Sequence, residues 1–293
     1  MKIAVFTKNQ SNPAYAAARL GAERAAALFG AEVRHYVPEI ADDPLQQSAL
    51  VAQALAEVPD AFVFTPVHAT QVDAAVAAVL EAGIPIFGFV NRMAAGRCVS
   101  YVGSADGRLA ADIANYLFDH LEGRGDVAIV AGPADSVTSI ERVQAFDAEA
   151  VRRPGIRIVA RCSGGYQREP ARAAFAKMLA EQLRIDGVLA ANDIMAIGVL
   201  DALAAAGRRA AVVGVNAIPQ AVEAIGRGDM LATADFNAMQ MCFLATECAI
   251  RHGRGEAVPA EIELPVAIVD RSNYRQWDLP YAQRPIPTLR ELH

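Results

Sequence analysis

Residues 185–207 read IDGVLAANDIMAIGVLDALAAAG. Within them, Gly187-Val188-Leu189-Ala190 is a short apolar run, the pattern of a parallel strand buried on both faces. Asn192-Asp193 follows, a pair suited to a helix N-cap. Ile194 to Ala206 is then a run of good helix formers, and Gly207 stands where a helix C-terminal glycine belongs. The stretch is a strand–turn–helix unit with two polar side chains at the carboxyl end of the strand. In open α/β sheets, ligands bind at that end. Taken alone, the pair fits a plain helix cap equally well.

Working outward, the same unit recurs along the chain. Upstream, strands are expected at Ile3–Phe6, Glu32–Tyr36, Ala61–Phe64, Ile84–Phe89 and Cys98–Val102. Helices are expected at Pro13–Phe29, Pro44–Ala56 and Ala69–Ala82. This is the βαβ rhythm of a doubly wound parallel sheet. At Gly103-Ser104 the pattern restarts. Helices at 105–121, 136–150, 169–183, 194–206, 219–226 and 238–252 alternate with strands at 126–130, 156–161, 187–190, 211–215 and 231–234. Ile262–Ile268 is a last extended segment broken by Pro265, and the tail from Asp270, with Trp277 and three prolines, reads as an irregular strap. The halves repeat at low resolution. Gly88-Phe89-Val90-Asn91 and Gly214-Val215-Asn216 are both apolar strands whose first polar residue is Asn.

Composition narrows the function class. The 293 residues are 54% hydrophobic and 20% charged, with net charge −6, so an ample core is available. An acidic chain without clustered Lys/Arg argues against a nucleic-acid surface. No apolar run approaches the ~18 residues of a transmembrane helix, so no membrane insertion is expected. Lys2-Ile3-Ala4-Val5-Phe6 already reads as a strand, which suggests a mature form whose signal peptide has been removed. Cys98, Cys162, Cys242 and Cys248 form no C-x-x-C pair or metal spacing and read as small buried hydrophobes. None of the nucleophile-elbow, zinc-protease, phosphate-loop or dinucleotide motifs is present. The histidines are scattered, and no catalytic constellation can be argued from spacing. An enzyme, a metal and a cofactor are therefore not expected.

DGVLAANDIMAIGVLDALAAAG, together with Ser11-Asn12-Pro13, Gly83-Ile84-Pro85, Arg142 and the GVN stretch at Gly214, resembles the periplasmic sugar-binding proteins of ABC transporters, of the ribose/galactose-binding type. The resemblance covers about Lys2 to Ile268. Sugar-responsive repressors of the lactose-repressor class share the fold, so an effector domain lacking its DNA-binding part is the alternative. The resemblance implies an α/β protein of two doubly wound parallel-sheet lobes joined by a three-crossover hinge. The lobes it implies are 1–103 plus 236–267 and 104–235 plus 268–293. It implies a monomer in the periplasm that closes on a sugar, sugar acid or polyol and delivers it to an ABC permease.

Carried across one position at a time, the resemblance places Lys8, Asn12 and Tyr15 in the first site loop, Thr65 and His68 in another, and Asn91 and Arg92 in the next. From the second lobe it takes Arg142, Tyr166, Asn192 and Asn216, with Phe236 at a crossover. Asn and Arg suit vicinal hydroxyls, and Tyr15, Tyr166 and Phe236 suit the apolar face of a sugar ring. The chain departs from the family at Asn91 and Asn216, commonly Asp; at Phe236, commonly polar; at Ala14, commonly a large aromatic; and at Lys8, commonly small or polar. Three cations, with Asp193 and Asp235 the nearby carboxylates, lead to the expectation of an anionic ligand such as a sugar acid ahead of a neutral polyol.

Overall fold

The computed structural model describes residues 1–93, 97–181 and 184–292. In chain order the first elements are β1 (Lys2–Phe6), α1 (Pro13–Phe29), β2 (Glu32–Tyr36), α2 (Pro44–Ala56), β3 (Ala61–Phe64), α3 (Asp73–Glu81), β4 (Ile86–Phe89) and β5 (Ser100–Gly103). Then come α4 (Asp106–His120), β6 (Arg124–Ala131), α5 (Val137–Val151), β7 (Gly155–Ser163), α6 (Arg168–Ala180), β8 (Gly187–Ala190), α7 (Asp193–Ala205), β9 (Ala211–Val215), α8 (Pro219–Arg227) and β10 (Ala232–Asp235). The chain finishes with α9 (Ala238–Gly253), β11 (Glu261–Glu263), β12 (Ala267–Asp270) and three short 3-10 turns. The expected helix end at Gln182 and Leu183 lies outside the described residues.

These elements form two compact units. One is Met1–Ser104 with Asn237–Leu264 and Tyr281–His293; the other is Ala105–Phe236 with Pro265–Pro280. The assignment of 268–293 to the second lobe needs correction, because Tyr281–His293 belongs with the first unit. Two bonds hold it there: Arg24 Nη1 donates to the Arg284 carbonyl at 2.7 Å, and the Leu289 N–H donates to Glu247 Oε2 at 2.9 Å. The chain therefore passes between units four times, not three.

The first unit carries a six-stranded sheet in the order β11-β5-β4-β3-β1-β2, with every pairing parallel. Its central strands have every residue buried, as helices on both faces require. Phe6 anchors one layer, stacked on Tyr36 at 4.9 Å and on Phe62 at 5.2 Å between ring centroids. On the other face α1 and α9 pack so closely that a Cβ on Gly21 would lie 2.1 Å from the Met239 carbonyl oxygen.

The second unit has the order β12-β10-β9-β8-β6-β7, parallel except for β12, which runs antiparallel to β10. The single extended segment expected over 262–268 is two strands on different sheets, because Pro265 interrupts it where the chain changes unit. In each sheet the parallel strands end along one edge, so the loops that follow them gather there.

Candidate functional site

The first unit's candidate residues lie in those loops. Lys8, 2% exposed, follows β1, and its Nζ sits 3.0 Å from Asp42 Oδ1 in the loop after β2. Asn9 Nδ2 donates to the other Asp42 oxygen at 3.0 Å. Asp42 holds a left-handed φ of 58°, which a short polar side chain tolerates. Asn12 caps α1, its Oδ1 accepting from the Ala14 N–H at 3.0 Å, and Tyr15 is buried on the first turn. Thr65 follows β3, fully buried, with its hydroxyl accepting from the Asn91 N–H at 3.4 Å.

Asn91 is the informative residue of this unit. Its Nδ2 donates to the Pro66 carbonyl at 2.8 Å, which fixes the carboxamide's orientation because only an amine can face a carbonyl there. Oδ1 is then buried with no hydrogen-bond partner among the described residues. Val90 in front of it sits at φ 61°, an outlier for a β-branched residue and a mark of stored strain.

His68 and Arg92 are placed differently from the rest. His68 Nδ1 accepts from the Thr70 and Gln71 N–H groups at 3.1 Å each. That turn delays the helix expected from Ala69 until Asp73. Arg92 is exposed, pairs with Glu261 on β11 and lies with its guanidinium 4.2 Å from the Tyr101 ring centroid.

In the second unit, Arg142 is 3% exposed on α5. Its Nε donates to Asp106 Oδ1 at 2.7 Å, its Nη1 donates to the Ala191 carbonyl at 2.7 Å, and its guanidinium lies 5.6 Å from the Phe236 ring centroid. Thr138, one turn before Arg142 and so on the same helix face, shares a 3.1 Å hydrogen bond with the Tyr166 hydroxyl. The Tyr166 ring lies against Gly132, where a Cβ would come 2.4 Å from Cε1. Asn192 caps α7, its Oδ1 accepting from the Met195 N–H at 2.9 Å. Asp193 is fully buried and accepts from the Ile218 N–H at 3.0 Å and the Thr233 hydroxyl at 2.7 Å.

Asn216 repeats the situation of Asn91. It follows β9, is 9% exposed, and its Oδ1 is buried without a hydrogen-bond partner among the described residues. The strain recurs as well, with φ 124° at Asn216 and 48° at Ala217.

These geometries remove the charge argument for an anionic ligand. That argument required cations short of carboxylates, yet Lys8 pairs with Asp42, Arg142 with Asp106 and Arg92 with Glu261. A buried cation already beside a carboxylate needs no charge from a ligand. The sequence reading missed Asp42 and Asp106. Asp106 sits in the first turn of α4, where acidic residues favour the helix dipole, so its helical role concealed its partner. Asp42 lies in a turn whose positive φ has no sequence marker other than the short side chain itself.

Among the described residues no helix is long and apolar enough to cross a membrane, and no cluster of acidic, His and Cys side chains is arranged to hold a metal. All four cysteines are free thiols.

The chain is similar to known binding proteins along most of its length. It is 29% identical over 239 residues to a D-ribose/D-allose-binding protein of Pseudomonas aeruginosa, spanning 78% of this chain and 75% of that one. It is 27% identical over 195 residues to a xylitol-binding protein of Mycolicibacterium smegmatis, spanning 66% of this chain and 56% of the relative. A solute-binding protein of an Actinobacillus succinogenes ABC transporter, solved with D-allose, superposes with a TM-score of 0.88 at 28% identity, covering 94% of this chain and 99% of that one. All three are named as binding proteins. The family model described as the periplasmic binding protein domain matches residues 3–257, and the chain belongs to that family.

Proposed function

We propose that this chain is the solute-binding component of an ABC importer, which takes up a neutral polyhydroxylated ligand in the periplasm and hands it to a permease. The observation that carries the reading is the pair of orphaned carboxamide oxygens. Asn91 Oδ1 and Asn216 Oδ1 occupy corresponding places in the two units, and each is a buried acceptor without a protein donor among the described residues. An unsatisfied buried acceptor costs about 1–3 kcal/mol, a cost that a ligand hydroxyl removes. Polyols and sugars are dense in such hydroxyl donors. The neutralised cations favour an uncharged ligand, and the relatives named for D-ribose, D-allose and xylitol bind neutral polyhydroxylated compounds.

The reading assigns ligand contacts to groups of both units: Lys8, Asn12, Tyr15, Thr65 and Asn91 from the first, and Arg142, Tyr166, Asn192, Asn216 and Phe236 from the second. The position of Arg92, exposed and paired with Glu261, supports leaving it out. His68, whose Nδ1 accepts from its own turn, is left out as well. The test is a thermal-shift panel containing D-ribose, D-allose, xylitol and the matching aldonic acids. A ligand at about one hundred times its Kd stabilises by about 2.7 kcal/mol. Stabilisation by a neutral member is expected; a response confined to the acids would overturn the reading.

A further inference from the structure

The ligand loop after β9 is held in its strained form by one buried carboxylate. Residues 216–218 carry two positive φ angles without a glycine, so the conformation needs external restraint. Asp193 supplies it along two routes. Its Oδ2 accepts from the Ile218 N–H at 3.0 Å. Its Oδ1 accepts from the Thr233 hydroxyl at 2.7 Å, and the Thr233 oxygen in turn accepts from the Ala217 N–H at 3.3 Å. The two peptide N–H groups flanking the Ala217 Cα are thus tied to one side chain. The close approach depends on Gly214, where a Cβ would come 2.2 Å from Asp193 Oδ1.

We propose that Asp193 is the positioning residue of the ligand site: as a carboxylate it locks 216–218, keeps the Asn216 oxygen available to the ligand, and makes affinity depend on its own ionisation. The proposal rests on the function proposed above. The ionised group accepts from both donors. The acid has to donate its proton, and the nearest oxygen is Thr233 Oγ1, which must then compete with its own donated bond. Burial pushes the Asp193 carboxyl up to about 7, against the Thr233 and Ile218 hydrogen bonds. The charged groups facing it are Arg142 of α5 and Asp235 at the end of β10. Arg142 is itself paired with Asp106 of α4, and Asp235 accepts from the Trp277 indole at 2.7 Å.

If only the ionised form binds, apparent affinity follows the ionised fraction and is about 30-fold weaker near pH 5.5 than near pH 8.5. Two measurements test this. In the unliganded protein, the Ile218 and Ala217 amide resonances should titrate together in wild type with a midpoint near that value, and not in Asp193→Asn. Calorimetric titration with D-allose should show affinity falling as pH falls in wild type. In Asp193→Asn it should be weak and flat with pH. Thr233→Val, which keeps the side-chain shape and leaves the Ile218 bond, should lower affinity while the Ile218 titration persists. An Ile218 amide that does not titrate would overturn the proposal, as would an Asp193→Asn protein with wild-type affinity and pH profile. If wild type binds none of the panel sugars at any pH, the functional reading falls, and the Ile218 titration still decides the role of Asp193.

Discussion

Asn216 sits at φ 124°, a conformation that an L side chain adopts only under constraint. The asparagine stands there against its local cost, which is what a ligand contact would require. Asn216→Gly should therefore raise the melting temperature of the unliganded protein, through strain relief of about 1–3 kcal/mol offset in part by glycine's greater unfolded-state freedom, and abolish sugar binding. Calorimetry on the two proteins checks both halves; a glycine variant that binds normally would remove Asn216 from the site. Asn192 separates differently. Because Oδ1 is spent on the Met195 N–H, Asn192→Ala should cost about 1 kcal/mol of stability. Asn192→Asp keeps the cap but removes the amine donors, so it should hold stability while affinity drops roughly tenfold or more. Ligand charge belongs to the Lys8–Asp42 pair. Asp42→Asn uncovers the ammonium, and the aldonic acid of the best neutral ligand should then gain affinity relative to that ligand. Unchanged preference in the panel would show that Lys8 does not face the ligand. Asp193 also gives stability a pH slope. The folded carboxyl holds its proton up to about pH 7 while the unfolded chain releases it near its ordinary value of about 3.8. Its contribution is present below that lower value and is lost as pH rises through the window. Relative to Asp193→Asn, wild-type stability should therefore decline between about pH 4 and pH 7.

At the scale of elements, most boundaries were legible because cap, period and stop signals agreed. Pro13–Phe29, Pro44–Ala56 and Gly187–Ala190 begin and end where their capping residues and apolar runs say. The misreadings share a cause: a side chain or partner from elsewhere decided the outcome. His68 closes a turn with its own imidazole and so displaces the start of α3. The segment around Pro265 divides because its halves meet different sheets, a choice no local pattern records. The site was legible to the extent that polar residues end the strands. Its charge state was not, since Asp42 and Asp106 approach Lys8 and Arg142 from 34 and 36 residues away in sequence. Two glycines whose packing role the composition concealed set helix spacing. A Cβ on Gly21 would meet the Met239 carbonyl at 2.1 Å, and one on Gly198 would meet the Arg168 carbonyl at 2.3 Å. Backbone cannot yield as a flexible side chain can, so Gly21→Ala and Gly198→Ala should each destabilise by about 1–3 kcal/mol despite alanine's better helix propensity. Urea unfolding checks this, and a neutral or stabilising result would show that the helices slide apart freely.

At the scale of the whole molecule, the chain passes between units near residues 104, 236, 264 and 280. The last passage adds a strap whose ends are fixed separately. The Trp277 indole donates to Asp235 in the second unit, and the Leu289 N–H donates to Glu247, a fully buried carboxylate paired with Arg251, in the first. Truncation after Pro280 would strip Glu247 Oε2 of that donor and should cost about 1–3 kcal/mol, leaving every proposed ligand contact in place. The proposed contacts themselves lead to the last expectation. On the proposed function one ligand satisfies both orphaned acceptors, one in each unit, and the expected hinge closure is an equilibrium that such a ligand biases. A ligand shifts such an equilibrium by its differential affinity for the closed state. Small-angle scattering of wild type with saturating D-allose should therefore give a smaller radius of gyration than the unliganded protein. In Asn216→Ala, which removes the second unit's orphaned acceptor, the same concentration should produce a smaller contraction. Identical wild-type profiles at proven saturation would place the whole ligand site within one unit and count against a hinge.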